Sequence, residues 1–421
     1  MAFSALALSP ALLRALERQG LTQPTPVQSQ AIPAILAGRD VLACAQTGSG
    51  KTLAFGLPLL QGLAQQARPH PRAVRGLILV PTRELAVQVG DALRALANQL
   101  PESIKVSVVF GGVSINPQML AMRGGTDVVV ATPGRLLDLV KHNALHLSSV
   151  QTLVLDEADR LLDMGFADEL QHILRLLPAQ RQNLFFSATF AAPVDALAQS
   201  LLRDPQRIEI PTSPQTAPDI TQRAIHVDAP RRTQLLRHLI TTQHWKRVLV
   251  FVATKHAAEI VADKLRKARI YAEPFHGELS QGKRSQVLSD FKASRLKVVI
   301  ATDMASRGLD IAELPVVVNY DLPRSADDYT HRIGRTGRAG ESGLAVSLVS
   351  HSTEAHFRLI EKRHGLQVPL ETIEGFEPQP PEPSDLAPGT TPAASPSNGG
   401  IKGKRPSKKD KLRALLANPQ H

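Results

Sequence analysis

From residue 40 onward the chain alternates short, continuous apolar runs with longer stretches whose apolar positions recur at helical spacing. The runs Val41–Ala45, Leu77–Val80, Val106–Val109, Val128–Ala131, Leu153–Leu155 and Leu184–Phe186 have strand length and are interrupted only by Ser107. Between them, stretches such as Glu84–Leu96 and Asp168–Leu177 read as amphipathic helices. A strand with one solvated face alternates apolar and polar residues, whereas one covered on both faces is apolar throughout. The pattern therefore predicts an α/β unit, a parallel sheet between layers of helices, ending near Ile210.

Residues 211–219, Pro- and Thr-rich and without periodicity, read as a linker. The alternation then resumes. Val248–Val252, Val298–Ala301, Val316–Tyr320 and Leu344–Val349 are again apolar runs separated by helical patterns, so a second lobe of the same kind is expected over 220–368. Residues 369–421 form a tail rich in Pro, Ser, Gly and Thr that lacks the apolar content for a core, and it is expected to be disordered. At the other end, Ser9-Pro10 has the form of a helix N-cap followed by Pro at the first helical position. Met1–Leu13 carries no Lys between Met1 and Leu13 and no Arg, which favours a helix start over a signal peptide.

Composition changes this picture only in part. The 421 residues suffice for two or three cores. A single cysteine, Cys44, excludes an intrachain disulfide framework and fits a cytoplasmic setting; its place before a Gly-rich turn suits a small packing residue. No apolar run reaches the length of a membrane span. The net charge of +11 matters more. Five acids and no base between 370 and 401 are offset by seven bases against Asp410 between 402 and 413. The tail is thus nearly neutral as a whole, and about +10 stays on the folded part. A basic core points to a polyanionic partner, although a basic surface can also be merely solvated.

The candidate chemistry begins at Ala45-Gln46-Thr47-Gly48-Ser49-Gly50-Lys51-Thr52. Gly48 and Gly50 allow a tight turn whose N–H groups face phosphate oxygens, Lys51 adds a point charge, and Thr52 offers a hydroxyl to Mg²⁺. The usual phosphate loop begins with Gly, where this chain has Ala45. The run Leu153–Leu155 then delivers Asp156 and Glu157 to a strand end. Asp156 suits Mg²⁺, largely through water, and Glu157 suits the orientation or deprotonation of an attacking water. Further on, His331-Arg332-Ile333-Gly334-Arg335-Thr336-Gly337-Arg338 gathers three arginines in one turn. Arg335 and Arg338 can reach a γ-phosphate on the other lobe as arginine fingers in cis; an RNA-backbone patch is the alternative.

In this order the motifs resemble those of the DEAD-box ATP-dependent RNA helicases of superfamily 2, most closely the bacterial RhlE-type group, over roughly residues 1–365. The resemblance implies two tandem RecA-like domains, ATP and Mg²⁺ as cofactors and RNA as partner. Phe3 and the stretch Gly20 to Gln28 resemble the Q motif, in which Gln28 reads the adenine edge. Leu21 departs from the aromatic usual there, which puts a stacking contribution in doubt and shifts adenine selectivity onto Gln28. Ala45, Thr47 and Ser49 join the nucleotide contacts by the same likeness, and Asp310 is implied near the ribose.

Pro81-Thr82-Arg83-Glu84-Leu85, Gly111-Gly112 and Thr132-Pro133-Gly134-Arg135 resemble the RNA-contacting motifs of the first lobe. Gln281, Arg284, Thr302 and Gly308 resemble those of the second. Ser187-Ala188-Thr189 resembles the motif that couples hydrolysis to unwinding, through Ser187 and Thr189, and His331 is implied to link the second lobe to the acidic strand end. An aromatic content of 4% leaves few stacking platforms, so backbone contacts with little sequence preference are expected. Lys402, Lys404, Arg405, Lys408, Lys409, Lys411 and Arg413 are read as a tether for structured RNA, with a solubilising tail as the alternative. Ribosomal and RNA-decay proteins remain open as partners. A DNA translocase and a non-enzymatic RNA clamp are the competing readings; a small-molecule kinase leaves the arginine motif unexplained.

Overall fold

The computed structural model describes residues 2–45, 48–210, 220–306, 314–337 and 342–379. The expected linker, the site residues Thr47, Gly308, Asp310 and Arg338, and residues 380–421 of the tail lie outside these.

The first lobe is a seven-stranded, all-parallel sheet of β1 (Val41–Cys44), β2 (Gly76–Leu79), β3 (Val106–Val109), β4 (Val128–Ala131), β5 (Thr152–Leu155), β6 (Gln182–Ser187) and β7 (Gln206–Glu209), in the order β3-β4-β2-β5-β6-β1-β7. Continuous apolar strands feed two cores at once. Val41 and Ala43 pack on one face of the sheet and Leu42 on the other; Ile78 and Val80 likewise oppose Leu77 and Leu79. Helices flank both faces because each apolar side must be covered. At the N-terminus Ser9 caps the helix Pro10–Arg18, its hydroxyl accepting from the Leu12 amide, with Pro10 at the first position.

The second lobe repeats the plan with β8 (Ile220–His226), β9 (Val248–Val252), β10 (Ala272–Phe275), β11 (Val298–Thr302), β12 (Val316–Asn319), β13 (Gly343–Val349) and β14 (Leu370–Glu371), in the order β10-β11-β9-β12-β13-β8-β14. Val248, Val250 and Val252 face one core and Leu249 and Phe251 the other.

One expectation needs correcting here. The tail does not begin at 369, because Leu370–Glu371 pairs with Ala224 and Ile225 of β8. Arg223 holds Glu371 through two guanidinium nitrogens, and Ile373 and Phe376 pack against the β8–β9 core. Phe376 lies under the Arg231 guanidinium, 5.1 Å from its ring centroid, and 5.4 Å from the His238 ring. The segment is short and polar, yet its two apolar side chains and one ion pair suffice to seat it.

Candidate functional site

Parallel strands present all their C-terminal ends at one edge, and ligands of open α/β sheets bind there. In the first lobe that edge divides into two halves.

The half built by β5, β6 and β1 carries the phosphate loop and the acids. Gly48 (φ 83°) and Gly50 (φ 91°) are left-handed, a conformation that a side chain opposes. A Cβ on Gly50 would also stand 2.4 Å from Gln28 Nε2. Lys51 opens the helix Lys51–Ala64; it is buried and donates to the Ala45 carbonyl at 2.9 Å, so its ammonium is folded over the loop. Gln28 Nε2 donates to the Gly50 carbonyl at 3.1 Å, and its Oε1 accepts from the Thr25 amide at 2.9 Å. One N–H and one lone pair of the carboxamide are left for a ligand. Leu21 is half-buried against the first core, whereas Phe3, 4% exposed, has its ring inside it. Phe3 therefore supports this corner from behind and offers no face to a base.

Asp156 and Glu157 follow β5 and are both buried. Burial pushes the Asp156 carboxyl up to about 6, Glu157 adding to the rise and Lys51 opposing it. A carboxylate so strained in its charged form is one that a cation would relieve. Glu157 is left-handed (φ 52°, ψ 52°), the turn fastened by its own amide donating to Asp156 Oδ1 at 3.0 Å. Its Oε2 is buried without a hydrogen bond, 3.6 Å from Arg160 Nε. Between the acids and the loop, Ser187 ends β6; its Oγ accepts from the Thr189 amide at 3.3 Å, and Thr189 Oγ1 faces Asp159 Oδ2 at 3.5 Å. The oxygen donors here, Asp156 and the Thr52 hydroxyl with phosphate and water, suit a hard cation such as Mg²⁺.

The half built by β3, β4 and β2 gathers the other predicted group. Thr82 caps the helix Arg83–Ala97, its Oγ1 accepting from the Leu85 amide at 3.3 Å. Gly111 N–H points to Thr132 Oγ1 at 3.4 Å, and Pro133 with Gly134 opens the helix Pro133–Lys141. Gly112 (φ 75°) lies so near Arg83 that a Cβ would come within 1.9 Å of its Nη2. Arg135 is buried and donates to the Val113 carbonyl at 2.7 Å. Pro81, Thr82, Arg83, Gly111, Gly112 and Thr132 to Arg135 thus come together on three neighbouring strand ends.

The second lobe meets each half. Arg284 pairs with Glu84 at 2.9 Å, both side chains buried, and its guanidinium stacks 5.0 Å from the Phe275 centroid. The structure spends this arginine on the first lobe, while Gln281, at the start of the same helix, keeps a buried Oε1 without a partner. On the nucleotide side, His331 shares a cleft of about 400 Å³ with Asp159, Arg160 and Thr189. Burial, with Arg160 and Arg335 nearby, lowers its imidazole to about 4, against pulls from Asp159 and Asp328, so it is neutral at pH 7. Arg335 is buried beside it, next to Arg160 and Asp303. Arg332 is committed internally: both carboxylate oxygens of Asp303, at 2.6 and 2.7 Å, Asn319 Oδ1 and the Asp321 carbonyl hold it over Phe251. Thr302 ends β11, just before this network. Asp159, Arg160, Asp303 and the Glu84 carboxylate were not singled out as site residues. Asp159 could have been, since it follows the two acids closely in sequence and lies in the first turn of the helix Ala158–Asp163.

A phosphate loop and acidic strand end on one RecA-like lobe, faced by the arginine helix of a second, define a two-lobed nucleoside triphosphatase. The sequence pattern of the DEAD/DEAH box helicase family matches residues 25–197, and that of the helicase conserved C-terminal domain matches residues 231–340. A DEAD-box ATP-dependent RNA helicase CshA of Bacillus cereus is 39% identical over 360 residues, covering 86% of this chain and 67% of that protein. S. cerevisiae Dbp5 bound to RNA and ADP BeF3 gives a TM-score of 0.77 at 30% identity, covering 91% of this chain and 97% of its own. A variant of that yeast protein bound to Nup159, Gle1, IP6 and ADP gives 0.60 at 29% identity, over 88% and 96%. The chain belongs to the DEAD-box family of ATP-dependent RNA helicases.

Proposed function

We propose that ATP binds on the β5-β6-β1 half of the first lobe's edge, that RNA lies across the β3-β4-β2 half and onto the second lobe, and that closure over both is the working step. The observation that carries this reading is the meeting of the lobes at both halves, Glu84 with Arg284 on one side and Asp159 with His331 on the other. Lys51, released from the Ala45 carbonyl, would bind phosphate, and Gln28 would use its remaining N–H and lone pair on the base. Thr52 and Asp156 would hold Mg²⁺, which supplies neutralisation of the charge that builds on the transferring phosphoryl group. Glu157, fixed in its strained turn with one oxygen unpartnered, would orient the attacking water. Arg335 and Arg338 would reach the γ-phosphate, and Ser187 with Thr189 would carry its loss to the cleft. Bending one strand on closure would separate a short duplex, and hydrolysis would reopen the lobes.

RNA is contacted in this reading through Thr hydroxyls, backbone amides and Arg83, hence with little sequence preference. Among the described residues no helix is long and apolar enough to cross a membrane, and a cytoplasmic setting is part of the proposal. The finer RhlE-type grouping rests on the motifs alone; the bacterial relative above is named CshA. The test is the ATPase rate of the chain alone, with single-stranded RNA, and with DNA of the same sequence. Stimulation by RNA alone is expected; equal stimulation by DNA would replace the reading with a translocase. Glu157→Gln should retain ATP and RNA binding and lose turnover by ~10²- to 10⁴-fold. Normal turnover in that variant would take Glu157 out of its role.

A further inference from the structure

The nucleotide and RNA groups of the second lobe stand on the ends of β10, β11, β9 and β12. At the same edge, but on the β13-β8 side, is a cluster that none of that chemistry uses. His226 closes β8 and stands opposite Val349 in the pairing with β13. One residue after Val349, Ser350 caps the helix His351–His364. His351 is the first residue of that helix and Glu354 follows at i+3, so both project from one face of its first turn. One ligand atom from each of His226, His351 and Glu354 lies within 4.8 Å of the others. The two imidazoles meet edge to face with centroids 5.5 Å apart. His226 Nε2 is buried and has no hydrogen-bond partner, an unfavourable state for a ring nitrogen in a folded interior.

We propose that His226, His351 and Glu354 bind a divalent transition metal of the zinc class, which clips the end of β8 to the start of the helix His351–His364. Two neutral imidazoles and a carboxylate are the donor set zinc takes, with a fourth position left for water. The ATP metal does not compete, since Mg²⁺ prefers an all-oxygen octahedron. Two of the three ligands sit on the first turn of a helix and the third on a strand end paired to the segment before it, so little reorganisation is needed. The positive end of the helix opposes a cation, and the Glu354 charge offsets it. Arg358, 3.8 Å from Glu354 in a half-exposed pair, would give up that contact.

The test is a calorimetric titration of the tag-free full-length chain with Zn²⁺ in excess Mg²⁺, with thermal melting in parallel. His351→Ala and Glu354→Gln, both on the solvent-facing first turn, keep the fold safe. One Zn²⁺ per chain, a raised Tm, and at least tenfold weaker binding in both variants are expected. Substitution with Co²⁺ should give the visible absorption of low-coordinate nitrogen–oxygen ligation in the parent chain and not in the variants. Absence of saturable binding, or binding undiminished in Glu354→Gln, would overturn the proposal.

Discussion

Glu157 holds a left-handed backbone that costs a residue with a side chain about 1–3 kcal/mol. It also keeps a buried carboxylate oxygen without a hydrogen bond. Neither serves the fold. A substitution that removes both strains should therefore stabilise the first lobe while destroying activity. Glu157→Gly is expected to raise its melting temperature by about 2–4 °C, the shift that roughly 1 kcal/mol gives in a domain of this size. A lower melting temperature, read by calorimetry, would mean that the Arg160 contact at 3.6 Å repays the strain. Arg332 is the opposite case. It belongs to an arginine-rich turn that looks made for an anion, yet its hydrogen bonds to Asp303, Asn319 and Asp321 are all internal. In the sequence Arg335 and Arg338 are singled out without a physical ground for setting Arg332 aside; that ground comes only with the fold, which brings Asp303, Asn319 and Asp321 to it.

The strands that were legible are those apolar on both faces, such as Leu77–Val80 within β2 and Val248–Val252 as β9. Those missed are mostly at sheet edges. In β7 only Ile208 is buried, and β10 carries Pro274. β8 is internal but polar at Thr221, Gln222 and Arg223, since it emerges beside the short β14. Boundaries elsewhere moved by a residue or two, as expected of element ends. The segment after 369 was hidden for a different reason: its anchorage is by cation–π and ion-pair contacts to distant residues. A chain ending at 369 should therefore melt lower in its second lobe than one ending at 378. Losing Phe376 and Ile373 from the β8–β9 core is worth about 2 kcal/mol, or roughly 4–8 °C. Equal melting temperatures would show that the seat is incidental.

Closing the lobes buries an imidazole among positive charges, and this sets a pH limit. His331 is lowered to about 4 from 6.5, chiefly by desolvation, so the closed form takes up fewer protons than the open one. Closure is therefore favoured in full above pH ~6.5 and is lost progressively as pH falls toward about 4. RNA affinity measured with a non-hydrolysable ATP analogue should decline over that window. The Asp156 carboxyl, raised to about 6, would add its own loss through the nucleotide. His331→Gln should remove the first component and leave the second, and an unchanged profile in that variant would refute the assignment. In the proposed closure the two seams, Glu84–Arg284 and Asp159–His331, would form in one motion, with RNA beside the first and ATP beside the second. Each ligand would then lower the work of closure for the other, and thermodynamics requires the two effects to be equal. The factor by which RNA tightens the ATP analogue must match the factor by which the analogue tightens RNA. A charge-reversing exchange of Glu84 and Arg284 would keep that equality and change its size, making the molecule's coupling energy adjustable at a place neither ligand needs to touch.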